Sequence, residues 1–261
     1  MKICLVSDTH WNYAYWTNHA TRTLLGLTDY ERIEFAVETI NTENPDLVLV
    51  NGDIFEGTFT QTVWGNVKNI LDGFNAPYYV SKGNHDCINY SDWKNIFNME
   101  VTYGEDDIYH FEYMGYAFIC LDVYQTPNGG NWGEVVIDES ELGTILDSYS
   151  ESEGIFVFSH WISTVSTRNL IANTPNAKMI FFGHSHLKAF EIEGYGVPIY
   201  TDQHFAGPYD GTQRTYDKNK PWAYRVVDIN SEGVISTHMV EVIHYPSRFL
   251  PDRVVVSREN K

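Results

Sequence analysis

The sequence is short of cysteine, of positive charge and of long apolar runs, and each shortage excludes a class of protein. Cys4, Cys87 and Cys120 are odd in number and scattered, so they suit free thiols in a reducing compartment better than a disulfide framework. Cys4 and Cys120 fall inside apolar runs and read as small core residues. Lysine and arginine number 17 against 35 acidic residues, a formal net charge of −18. That balance argues against a surface that follows a phosphodiester backbone, so long nucleic acids are poor candidate partners. No stretch approaches the roughly 18 apolar residues of a membrane span. Lys2-Ile3-Cys4-Leu5-Val6 meets Ser7-Asp8 too soon to be a signal peptide's apolar core. The expectation is a soluble, cytoplasmic protein.

What the chain does have is 261 residues with 43% hydrophobic content, enough for a sizeable core in one domain spanning 1–261. Residues 246–261 carry no strong pattern and read as a C-terminal arm or edge strand. No internal repeat, low-complexity tract or linker interrupts the chain.

Leu47-Val48-Leu49-Val50 is a four-residue apolar run bounded by Pro45-Asp46 and Gly52, the signature of a short strand buried on both faces. It delivers Asp53 to the end of that strand, where open α/β sheets keep their ligands and where one carboxylate can serve two metal ions. Alone, Asp53 would read rather as a turn residue after Gly52. It has company. Lys2 to Ser7 is a first buried strand ending in Asp8-Thr9-His10, and residues two apart in extended backbone point the same way. Tyr78 to Ser81 runs into Gly83-Asn84-His85-Asp86, where a flexible glycine precedes a neutral amide, an imidazole and a carboxylate able to orient it. Ile155 to Phe158 hands over Ser159-His160, and Met179 to Phe182 hands over Gly183-His184-Ser185-His186. A single histidine such as His160 is a commonplace structural residue; a histidine pair behind a glycine at a strand end is hard to explain as packing.

Between these strands, Thr28-Asp29-Tyr30-Glu31 has the spacing of a capping box, and Ile33, Ala36, Val37 and Ile40 recur at helical intervals. Val63, Val67, Ile70 and Leu71 predict a second helix, and Asp138 with Glu141 caps another. The first half therefore reads as βαβ units. Tyr109 to Leu121 reads as an antiparallel hairpin about Gly115, and 190–192, 197–201, 222–229 and 234–243 read as strands. Trp11 to Leu27 reads as a loop over the site. Lys82 reads as a solvated surface residue, and Trp161 as either a pocket wall or packing.

Taken together, Asp8-x-His10, Gly52-Asp53, Gly83-Asn84-His85-Asp86, His160 and Gly183-His184-x-His186 resemble, in order and residue type, the motifs of the calcineurin-like metallophosphoesterase superfamily. The resemblance implies an α/β (α+β) four-layer αββα sandwich, two mixed sheets flanked by helices, with the site at the strand C-terminal ends. It implies that Asp8, His10, Asp53 and His186 hold one divalent ion and Asp53, Asn84, His160 and His184 a second, with Asp53 bridging. It implies that hydroxide formed at the ions attacks phosphorus, with His85 serving the leaving oxygen and Asp86 holding its ring. The nitrogen and oxygen donors, without thiolate, suit manganese, iron, zinc, cobalt or nickel.

The compact chain looks most like the bacterial-type phosphodiesterases of that family, which act on small-molecule phosphodiesters such as cyclic nucleotides or glycerophosphodiesters. Asn84, His85 and Trp161 are the candidate substrate contacts. Trp11, Tyr13, Trp16, Tyr124, Trp132, Tyr209 and Trp222 are candidates to stack on a base. The rival readings are a phosphomonoesterase for a protein, nucleotide or sugar phosphate, a nuclease, and a non-catalytic scaffold.

Overall fold

The period-two alternation of strand side chains assigns each face of each strand. In the strand Lys2–Val6, Cys4 and Val6 face one apolar layer while Ile3 and Leu5 face another. Leu47–Asn51 repeats the division, with Val48 and Val50 on one side and Leu47 and Leu49 on the other. Gly154–Ser159 does so too, with Ile155 and Val157 opposed to Phe156 and Phe158. Strands apolar on both faces must be covered on both, which produces layers.

A computed structural model of the chain describes residues 1–10, 29–55, 57–58, 60–104, 108–122, 124–125, 133–134, 137–162, 164–185, 190–202, 205, 209–210, 215–216 and 222–242. The fold is the four-layer αββα sandwich. A five-stranded mixed sheet runs in the order Ile235–Val242, Trp222–Ile229, Lys2–Val6, Leu47–Asn51, Tyr78–Ser81, the last three being mutually parallel. A seven-stranded mixed sheet runs Phe190–Ile192, Ile199–Thr201, Ala177–Phe182, Gly154–Ser159, Tyr116–Leu121, Ile108–Tyr113, Thr102–Tyr103, with four parallel strands at its centre. Helices α1 (Asp29–Asn41), α2 (Gln61–Leu71) and α3 (Tyr90–Phe97) cover the first sheet. Helices α4 (Glu139–Ser148) and α5 (Val165–Ala172) cover the second.

Between the sheets lies an aromatic layer. Phe111, Phe118, Phe156, Phe181 and Tyr200 stack nearly parallel across adjacent strands, with the Phe118 and Phe156 centroids 5.4 Å apart. The Arg225 guanidinium closes the row 4.4 Å from the Tyr200 ring, held by a 2.6 Å bond from Nε to Asp202 Oδ1. Because both strands of each parallel pair run the same way, their carboxyl ends meet along one edge of the sandwich, and all the loops that carry ligand-type residues emerge there.

The sequence reading missed α3 and α5, which at eight residues each are shorter than the window in which helical periodicity is read. Tyr90, Trp93 and Phe97 nonetheless stand at helical spacing, and Asn89 caps the start by accepting the Asp92 amide at 2.8 Å. Trp222 is a correction: it is 3% exposed and packs on Phe35 and Phe205, so it is core rather than a base platform. Trp11, Tyr13, Trp16, Trp132 and the loop 11–27 lie outside the described residues, as do Thr28 of the capping box and the arm 246–261. The side chains of Tyr124 and Tyr209 do so as well.

Candidate metal centre

Three glycines allow the strand ends to come together. A Cβ on Gly52 would lie 2.7 Å from the Gly83 amide nitrogen and 2.9 Å from His160 Cβ. One on Gly83 would collide with the Asp53 backbone and carboxylate, and one on Gly183 with Ser7 Oγ and Asp8 Oδ2. The glycines in front of Asp53, Asn84 and His184 are therefore the spacing that brings the loops into contact.

The side chains they admit converge. Asp53 Oδ2 faces three imidazoles, with His160 Nε2 at 3.1 Å, His10 Nε2 at 3.6 Å and His85 Nε2 at 3.9 Å. His10 Nε2 is also 3.6 Å from Asp8 Oδ1. Asn84 Oδ1 sits 3.1 Å from His160 Nε2 and 2.8 Å from His184 Nδ1. The result is two groups of donors, Asp8/His10/Asp53 and Asp53/His160/His184, each with its atoms within 4.8 Å of one another and with Asp53 in both. The longer of these separations exceed hydrogen-bond length. Donors about 2.1 Å from one tetrahedral ion stand roughly 3.4 Å from each other, so the spacing fits a shared cation. The donors are nitrogen and oxygen only, and the set fits hard or borderline divalent ions.

Backbone and second partners fix the orientation. His160 Nδ1–H donates to the Asn51 carbonyl at 2.8 Å, which aims Nε2 into the centre. The His184 amide donates to Asp8 Oδ2 at 3.0 Å, and Ser7 Oγ donates to the same oxygen. The His85 amide donates to Asp53 Oδ1 at 2.8 Å, leaving Oδ2 toward the imidazoles.

The electrostatics are those of a buried anionic hollow. Burial opposes ionisation of Asp53, yet the neighbouring imidazoles, His160 foremost, hold its carboxyl well below the usual range. Burial likewise opposes charge on His160, but the Asp53 and Asp8 carboxylates carry its imidazole up to about 9. Asp86 is pushed up to about 7, first by burial and then by the charge of Asp53. The carboxylates favour positive charge at the centre, whether proton or metal.

Of the candidate ligands, Asp8, His10, Asp53, Asn84, His160 and His184 come together, and His186 lies outside the described residues. His85 stands at the rim, its ring 5.0 Å from that of His10 and edge-on to it. Asp86 does not hold that ring as expected. Its Oδ1 accepts the Phe55 amide at 2.9 Å and its Oδ2 the Gly83 amide at 2.8 Å, so it braces the loop backbone instead. Trp161 lies beside His184, ring centroids 5.7 Å apart, and also packs on Phe182, so wall and packing coincide. Lys82 is not a surface residue: it is 1% exposed. The sequence reading missed Asp122, which follows the apolar run Ala117 to Leu121 just as Asp53 follows its own strand, and which accepts the Lys82 amide at 2.6 Å.

A model of the calcineurin-like phosphoesterase family matches residues 1–188. Over 88 residues the chain is 34% identical to a protein of Rhodopseudomonas palustris named as a probable cyclic nucleotide phosphodiesterase, a stretch covering 33% of this chain and 30% of that one. The match thus spans under a third of that relative's length. Among solved structures, a dimetal phosphatase from Danio rerio superposes with a TM-score of 0.63 at 13% identity, covering 88% of this chain and 93% of its own. The calcineurin-like phosphoesterase YfkN from Bacillus subtilis gives 0.54 at 12% identity, with 95% and 94% covered. At those identities the likeness establishes the fold.

Proposed function

The chain belongs to the calcineurin-like phosphoesterase family, and from that premise we propose that it is a hydrolase that cleaves small organic phosphodiesters at a two-metal centre. The observation that carries the proposal is the sharing of Asp53 between two donor groups, with the His85 imidazole at the rim and in neither. Asp8, His10, Asp53 and His186 would hold one ion, and Asp53, Asn84, His160 and His184 the other. Manganese, iron, zinc, cobalt and nickel all suit such donors. Two divalent ions there would supply the charge that makes water nucleophilic near neutral pH and offsets the charge gathering on phosphoryl oxygens.

The protein's own groups do the rest. Asp53, carboxylate by virtue of its imidazole neighbours, presents one oxygen to the centre and keeps the other on the His85 amide. That amide bond anchors the His85 backbone beside Asp53, and in this reading the ring would give a leaving alkoxide the proton it needs. Asn84 brings a neutral oxygen, which adds a donor without adding charge to a centre already anionic. Trp161 supplies an apolar wall beside His184 for the organic part of the ester. The name of the Rhodopseudomonas relative supports cyclic nucleotides or similar diesters as the substrate class. We read 1–261 as one catalytic domain acting in the cytoplasm on small molecules.

Purified protein loaded with manganese should hydrolyse bis-p-nitrophenyl phosphate with at least a ten-fold higher kcat/KM than p-nitrophenyl phosphate. The reverse preference would replace the diester reading by a monoesterase one. Absence of turnover on both, with less than one bound ion per chain, would leave only the scaffold.

A further inference from the structure

The loop that carries Asn84 and His85 is held by an unusual run of backbone bonds. Three of its four amides from Lys82 to His85 donate to carboxylates, and each carboxylate comes from a different place. The Lys82 amide goes to Asp122 Oδ1 at 2.6 Å, the Gly83 amide to Asp86 Oδ2 at 2.8 Å, and the His85 amide to Asp53 Oδ1 at 2.8 Å. Such charge-assisted bonds are shorter and stronger than neutral ones. Asp86 belongs to the loop's own segment, and Asp53 follows the strand Leu47–Asn51, a neighbour of Tyr78–Ser81 in the same sheet. Asp122 differs. It follows Tyr116–Leu121 in the seven-stranded sheet, so its bond crosses the gap between the sheets.

That crossing coincides with a geometric demand. Asn84 rides on the five-stranded sheet, while His160 and His184 follow Gly154–Ser159 and Ala177–Phe182 in the other. Tyr116–Leu121 is the parallel neighbour of Gly154–Ser159, and Ser159 Oγ donates to the Leu121 carbonyl at 2.7 Å, so Asp122 and His160 leave the sheet side by side. Asp122 has no exposed surface. Burying a carboxylate is costly in desolvation, a cost that a role in filling space alone would not require.

We propose that Asp122 is a positioning residue for the metal centre: by accepting the Lys82 amide it ties the Asn84 loop to the opposite sheet and sets the distance from Asn84 Oδ1 to His160 and His184. The proposal rests on reading those three residues as ligands of one ion. Outer residues that orient ligands typically change metal affinity or activity by about 10- to 100-fold when removed.

The test is manganese titration of the metal-stripped full chain by calorimetry, with kcat and KM on bis-p-nitrophenyl phosphate and hydrogen exchange at the Lys82 amide. Asp122→Ala should weaken the second manganese by about 10- to 100-fold, lower kcat with little change in KM, and speed Lys82 exchange. Asp122→Asn keeps an oxygen acceptor of the same length and should restore all three toward wild type. Manganese affinity in Asp122→Ala within two-fold of wild type overturns the proposal, as does an Asn variant that falls as far as the Ala variant. If the Ala variant does not fold, the Asn variant decides: slow Lys82 exchange with wild-type affinity supports the tie, and fast exchange with wild-type affinity overturns it. A wild-type protein that binds no manganese would sink the metal-centre reading as well, whereas failure in the variants alone sinks only the role of Asp122.

Discussion

Asp8, His10, Asp53 and His184 have φ of 56°, 40°, 49° and 66°, in the left-handed region that non-glycine residues rarely occupy. Each such residue costs about 1–2 kcal/mol relative to the right-handed regions, and here four of them line one hollow. They persist because the neighbouring backbone holds them: the Asp8 amide donates to the Gly52 carbonyl at 3.0 Å and the His10 amide to the Asp53 carbonyl at 2.9 Å. Strain at these positions is the local cost of turning a carboxylate or imidazole inward where the strand would have carried it away. His85 lacks that constraint, stands outside both donor groups and is part-exposed, so its imidazole can be removed without dismantling the centre. His85→Ala should retain two manganese ions per chain by elemental analysis and lose about 10²- to 10⁴-fold in kcat on a diester with a poor leaving group. Loss confined to esters with poor leaving groups would identify His85 as the proton donor, and unchanged kcat would remove it from the mechanism.

The hairpin between Ile108–Tyr113 and Tyr116–Leu121 shows how an element far from the centre still bears on it, since the second strand ends in Asp122. Tyr113 pairs with Tyr116, which leaves a two-residue turn of Met114 and Gly115. Both have positive φ, 51° and 85°, as a type I′ turn demands. Gly115 suits that role and Met114 does not: its side chain is 59% exposed and gains little packing in return. Met114→Asn should raise stability by about 1 kcal/mol, because asparagine tolerates the left-handed region better. Denaturant unfolding measures this, and an unchanged or lower midpoint contradicts the account. The apolar run and Gly115 made this hairpin legible in sequence. The two short helices were not, because two turns of chain display too few apolar positions to define a face.

At the scale of the whole molecule, buried carboxylates gather at one edge of a chain that already carries a net charge of −18. Asp8, Asp53, Asp86, Asp122 and Asp202 are all buried there or beside it, and the buried lysine and arginine among the described residues are Lys82 and Arg225. Cations bound only by the folded state stabilise it by mass action, by about 2.7 kcal/mol at a hundred times the dissociation constant. Stripping the protein with a chelator should therefore lower its unfolding midpoint, and excess manganese should restore it; a midpoint indifferent to both would mean that no ion is bound at the centre. The sequence alone determined the strand ends, the residue types delivered to them and their order, because burial on two faces dictates continuous apolar runs and a ligand must follow such a run. From those it also determined the family and the layered fold. Only the tertiary structure decided which partner each side chain meets. It turned Asp86 from the His85 ring to the Gly83 and Phe55 amides, buried Lys82, drew Trp222 into the core and brought in Asp122 from across the sandwich. These outcomes depend on how two sheets register against each other, and that register arises from packing between residues far apart in the chain, which no local pattern encodes.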